Sequence, residues 1–128
     1  MSEYLKKISE KEITDKVTEA TVKFAEEYGE YLTKDDKGGK PLTTNQLRKF
    51  FGEVKRQQMV GFNKTDIVLL KPKLAYAVGR DKENTKIKDF YEVMSKLIDL
   101  VDNEVQFKNF IKVFEAIVAY HKKFEKGK

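Results

Sequence analysis

The sequence predicts an all-α fold, a compact bundle of about five helices forming a single domain over residues 1–128. Apolar residues recur at spacings of three and four through every long segment, the pattern of helices that each bury one stripe. Only two prolines and seven glycines interrupt the chain, and Lys, Glu, Leu and Ala dominate its long segments, a composition that favours helix. At 128 residues a chain can bury roughly two thirds of its unfolded surface. Nine Phe and six Tyr help to supply that core, while 37% charged residues cover it.

Ile13, Val17, Ala20, Thr21, Phe24, Ala25, Tyr28, Tyr31 and Leu32 form the stripe of a first helix over residues 13–32. Its other face is acidic, and Glu12 with Lys16 and Glu19 with Lys23 are spaced as ordinary i, i+4 helix support. TKDDKGGKPL, residues 33–42, is turn chemistry and predicts a flexible connection. Gly38, Gly39 and Lys40 do not have the Walker spacing of a phosphate loop, and no strand precedes them.

Thr43, Thr44 or Asn45 can cap a second helix by accepting from a first-turn N–H. Leu47, Phe50, Phe51, Val54 and Gln58 follow on its inner stripe. At about 100° per residue, Arg48, Lys49, Lys55 and Arg56 share one outer face with Gly52 near its middle. A helical glycine costs about 1 kcal/mol relative to alanine. At position 52 it lets a sugar-phosphate backbone come close, permits a tight helix crossing, or is simply tolerated.

GFNKTD, residues 61–66, ends that helix and recaps the next at Thr65 or Asp66. Lys71 precedes Pro72, so the helix from Ile67 is expected to break there and restart with Pro72 in first position. Leu74, Ala75 and Val78 then turn inward, and Gly79 serves as a left-handed cap. Tyr76 is the one aromatic of this stretch placed to face a base, with core packing as its expected use. Lys71, Lys73 and Arg80 are left outward. Thr85 caps a fourth helix through Asp102, with Ile87, Phe90, Tyr91, Met94, Leu97, Ile98 and Val101 inside. After a short turn at Asn103 and Glu104, the last helix runs to about Phe124 on Phe107, Phe110, Ile111, Phe114, Ile117, Val118 and His121. Short connections between long helices predict antiparallel neighbours.

Charge is unevenly placed. Residues 37–80 hold ten Lys and Arg, including all three arginines, against only Glu53 and Asp66, a local charge of +8. Residues 1–36 hold ten carboxylates and six lysines, a local −4. A concentrated basic segment points to a polyanionic partner, with Lys and Arg binding phosphates regardless of base sequence. Enzyme chemistry has little to work with. There is no cysteine, and His121 is the only histidine, which excludes a triad, a histidine pair and the common zinc motifs. No cofactor or metal site is expected. No apolar run approaches the ~20 residues of a membrane span, and the first residues lack the apolar core of a signal peptide, so a cytoplasmic protein without a membrane partner is expected.

Three blocks carry a further signal: LTTNQLRKFFGEVK (residues 42–55), LLKPKLAYAVGR (69–80) and FKNFIKVFEAIVAYHKKF (107–124). Together, and in this order, they resemble the small α-helical subunit of the type III-A, or Csm, CRISPR effector complex. The resemblance implies a helical bundle without catalytic activity. It implies stacking of several copies into a minor filament beside the backbone subunits and the large polymerase-like subunit, and contact with guide RNA and target RNA through phosphates. Carried onto this chain, the matching positions are Arg48 and Lys49, Lys73 and Arg80, and His121 and Lys122. Helical geometry adds Lys55 and Arg56, and Lys71 flanks the break in the middle block. A self-assembly scaffold, its basic face meeting the acidic face of the next copy without RNA, is the alternative.

Overall fold

In the computed structural model, which describes residues 2–125, apolar periodicity becomes helix. A 3-10 turn, Glu3–Lys6, precedes α1 (Lys11–Thr14), α2 (Glu19–Leu32), α3 (Thr44–Val60), α4 (Lys64–Val68), α5 (Leu70–Arg80), α6 (Ile87–Asp99) and α7 (Glu104–Phe124). Five of these, α2, α3, α5, α6 and α7, are at least 11 residues long, as the sequence predicts. No strand occurs among the described residues.

α7 is the central element, packed along α2 and against α1 and α3. Its early Asn109 reaches Ile13 and Asp15, and its late Tyr120 lies against Gly29, so α2 and α7 run in the same direction. α3 runs against α7, with Phe62 beside Phe107, Phe50 beside Phe114 and Leu42 beside His121. Phe50, Phe90 and Phe114 meet edge-on or tilted at 5.3–6.4 Å where α3, α6 and α7 converge, the separations that aromatic quadrupoles favour.

Polar side chains redirect the chain in places where periodicity predicts otherwise. The expected first helix over residues 13–32 is broken between α1 and α2. Glu12, only 4% exposed, accepts from Thr18 N at 2.8 Å and from the hydroxyls of Thr18 and Thr21. Burial pushes the Glu12 carboxyl up, but these donors outweigh it and the net shift is downward. Asn109 Nδ2 donates to the carbonyls of Ile13 (2.9 Å) and Asp15 (3.0 Å), and Thr18 then caps α2. The carbonyls of Ile13 and Asp15 and the N–H groups of Thr18 and Ala20 thus have partners at the break, which is what makes a buried helix end tolerable.

The connection over residues 33–42 is pinned and not flexible. Lys86, wholly buried, donates to the carbonyls of Lys34 and Gly39 (2.7 Å) and pairs with Asp36 at 3.0 Å. Bridges join Asp36 to Gly39 and Lys40 to Thr85. Thr43 closes a capping box with Gln46, the reciprocal N–H satisfaction that marks a firm helix start. On α3 the inner position near the end is Gln57 instead of Gln58. Gln57 Nε2 donates to Asp66 O at 3.0 Å, joining the helix to α4. Asn63 caps α4, two residues before the expected Thr65.

The interruption falls at Leu69 and not at Lys71, leaving Pro72 third in α5. Proline lacks the N–H that would bond four residues back, and its ring crowds that carbonyl. Four residues back is Val68, the last residue of α4. Inside the first turn of α5 the missing N–H is one of those that have no intrahelical partner anyway. α5 also continues through Gly79, whose φ is not positive, and ends at Arg80 with Asp81 as its cap. Its buried stripe is Leu70 and Leu74 with half-buried Ala77 and Val78, whereas Ala75 is exposed. α6 stops at Asp99, three residues before the expected end, although Val101 remains buried.

Candidate nucleic-acid interface

The two basic stretches of the sequence meet in space. α3 and α5 lie side by side and antiparallel, with Glu53 opposite Lys73 and Gln46 bonded to Thr85, which Asp81 holds in turn. Glu53 joins the helices. Its Oε2 accepts from Arg56 Nη2 at 2.5 Å and pairs with Lys73 Nζ at 2.9 Å. The Arg56 guanidinium, seconded by Lys73 and Gln57, overrides the effect of burial and holds the Glu53 carboxyl at about 2.

Between the helices lies an open groove of about 930 Å³. Phe50, Leu74 and Ala77 form its apolar side, and Lys49, Lys73 and Arg80 edge it. Around α5, Lys73, Tyr76 and Arg80 fall within about 60° of one another at ~100° per residue, with Tyr76 the farthest of the three from the Leu70–Leu74 stripe, about 140° from its centre. That offset explains why Tyr76, for which core packing is the expected use, is 67% exposed. The Arg80 guanidinium lies 5.8 Å from its ring centre, within the range of a cation–π contact.

The remaining candidates divide by what they touch. Arg48 and Lys49 are exposed and make no ion pair among the described residues. Lys55 leans the other way, pairing with Glu115 of α7 at 2.7 Å. Lys71 pairs with Asp99 of α6 at 2.6 Å, so it ties α5 down on the side away from α3. Exposed pairs of this kind are worth at most about 1 kcal/mol, and both lysines can exchange their carboxylate for a phosphate at small cost. Gly52 has nothing within 4 Å of where a Cβ would stand. The tight-crossing explanation for it therefore fails, and the centre of the basic face is bare.

His121 follows the inner stripe of α7 and does not make the outward contact that the resemblance implies. It is 2% exposed, and its Nε2–H donates to the Leu42 carbonyl at 2.9 Å, fixing the start of α3 against the end of α7. Lys122 is exposed on the last turn of α7 with Glu125 at 4.0 Å, and it does not line the α3–α5 groove. Two further groove residues are not marked by the sequence as candidates for contact, Asn45 being named there only as a possible cap. Lys82 lies just past α5, and Asn45 stands in the first turn of α3. Neither has a periodic signal, since both lie at helix ends.

The fold and this face define a class: a small helical protein whose two adjoining helices present one cationic surface with an open groove along it. No described helix is long and apolar enough to cross a membrane. The family model Csm2 Type III-A matches residues 15–127, and the chain belongs to that family, the small subunits of the type III-A Csm CRISPR system. The match takes in all three sequence blocks and α2 through α7. No curated protein and no solved structure matches the chain.

Proposed function

We propose that the protein is a non-catalytic subunit that holds the sugar-phosphate backbone of guide and target RNA within a cytoplasmic Csm ribonucleoprotein. It stacks with copies of itself as a minor filament beside the backbone and large polymerase-like subunits. The observation that carries this is the adjacency of the α3 and α5 cations around Glu53, with Arg48 and Lys49 exposed and free of ion pairs among the described residues. Gathering like charges on one face is unfavourable in the free protein and becomes favourable when phosphates displace counterions.

The test is RNA affinity measured against salt. Removing one protein–phosphate interaction flattens the log–log slope by about 0.7 for a single strand. Arg48→Glu with Lys49→Glu is expected to weaken binding and lower the slope. Unchanged affinity and slope would remove this face from the interface, and RNA cleavage by the purified chain would end the non-catalytic reading.

A scaffold without RNA contact is favoured by a different observation. Met59 and Val60 at the end of α3 are 88% and 70% exposed, and Val68 and Leu69 stand exposed at the α4–α5 junction, which Gln57 ties to α3. Such apolar exposure suits a protein contact. Sedimentation without RNA discriminates: multimers support assembly through this end, and a strict monomer at high concentration counts against it.

A further inference from the structure

We infer that the α3–α5 groove receives one unpaired nucleobase of a bound RNA, stacked on Tyr76, while the cations at its edge hold the flanking phosphates. The inference rests on the RNA-backbone reading above and assigns to the groove a different part of the nucleotide.

Charge balance separates the groove from its surroundings. Lys49, Lys73, Arg80 and Lys82 line it, but so do Glu53, Asp81 and Glu83. Four cations facing three carboxylates make a near-neutral interior, which does not draw a phosphate in. The carboxylates are also largely occupied. Glu53 holds Arg56 and Lys73, and Asp81 accepts from Thr85 N at 2.8 Å, Thr85 Oγ1 at 3.1 Å and Glu83 N at 3.3 Å. The unpaired cations Arg48 and Lys49 stand at or beyond the rim on α3. Phosphates therefore belong on the rim and a neutral group inside.

The shape and chemistry of the interior suit a flat aromatic. Tyr76 presents an exposed ring at the edge of an apolar side formed by Leu74 and Ala77. The Arg80 guanidinium lies 5.8 Å from the ring centre and the ring is 67% exposed, which leaves aromatic surface for a base, and every base has a π-face to offer. Gly79 adds an independent indication. It lies inside α5, where glycine is disfavoured, yet its φ is not positive and a Cβ there would meet nothing within 4 Å. Neither backbone nor packing requires it. A bare helix position on the groove lining keeps the space beside Tyr76 open. With no side chain committed to a base edge, the pocket should accept any base that is not already paired.

The experiment compares two strands of equal length and phosphate number, a short oligoadenylate and its fully abasic counterpart, binding to the full chain. The expected result is tighter binding of the base-bearing strand, by roughly five- to a hundred-fold, the range that stacking of one base supplies. Tyr76→Ala should erase that preference without changing the salt slope, Tyr76→Phe should keep it, and Gly79→Leu should reduce it by filling the groove. Tyr76 is exposed, so its replacement leaves the core intact. Equal binding of the two strands by the unaltered chain, or a preference that survives Tyr76→Ala, overturns the base pocket. If Arg48→Glu with Lys49→Glu still weakens both strands in that case, backbone binding stands alone. Failure of both strands to bind overturns both readings.

Discussion

Glu53 couples the cationic face to folding. Its carboxyl, ordinarily near 4.5, is held at about 2 by Arg56 first and Lys73 after it. A folded-state value below the unfolded one means the group contributes stability above pH ~4.5 and loses that contribution as pH falls toward ~2. Glu53→Gln is therefore expected to be less stable than the parent at neutral pH, with the two converging in acid, as urea unfolding across that range would show. Like charges left facing each other should also loosen α5. Gly29 acts on packing alone. A methyl group there would stand 2.7 Å from Tyr120 Cβ and 2.9 Å from His121 N, atoms of a helix that cannot step aside. Gly29→Ala should cost about 1–3 kcal/mol, the usual range for overpacking, read as a lower urea midpoint at constant m.

At the scale of elements, two glycines in the same kind of helix predict opposite outcomes. Gly52 has open space around it, so Gly52→Ala should stabilise α3 by about 1 kcal/mol through propensity. It should also lower RNA affinity if a phosphate backbone lies close to that bare surface, and binding and unfolding measured on one sample separate the two effects. Lys86→Met should cost at least about 1–3 kcal/mol, since it leaves two carbonyls without their donor, and should expose the 33–42 connection to limited proteolysis. These elements also show what can be read in advance. The stripes of α3, α6 and α7 and the Thr43 cap are legible because burial has a period and caps have a chemistry. The Pro72 interruption is legible only to within a turn, since a proline is accommodated anywhere among the unpaired N–H groups of a helix start. Glu12, Lys86 and Asn109 are not legible. Residues of these types are ordinarily solvated, and nothing in their spacing marks the few that are buried with full sets of partners. For the candidate interface, the Arg48–Arg56 face follows from helical angle, while the core packing preferred for Tyr76 goes against its angle, which places it beside Lys73 and Arg80.

For the molecule as a whole, charge and a group of exposed apolar side chains mark two surfaces suited to different uses. The basic face of α3 and α5 is suited to a polyanion, and the Met59, Val60, Val68 and Leu69 end to a protein neighbour. Replacing Met59 and Val60 together by Ser is expected to leave stability within about 0.5 kcal/mol, as for other surface positions, while abolishing any RNA-independent multimers seen by sedimentation. The arrangement around α7 has a consequence for biosynthesis. The longest helix, packed on α1, α2 and α3 alike, closes the core from the far end of the described chain. Contacts so distant in sequence delay folding, and a chain emerging from the ribosome at ~5–20 residues per second must wait for α7 with its Phe and Tyr side chains unshielded. Messages cut short before α7 should yield fragments that proteases clear, so an assembly recruiting this subunit draws only on molecules whose translation has passed that helix.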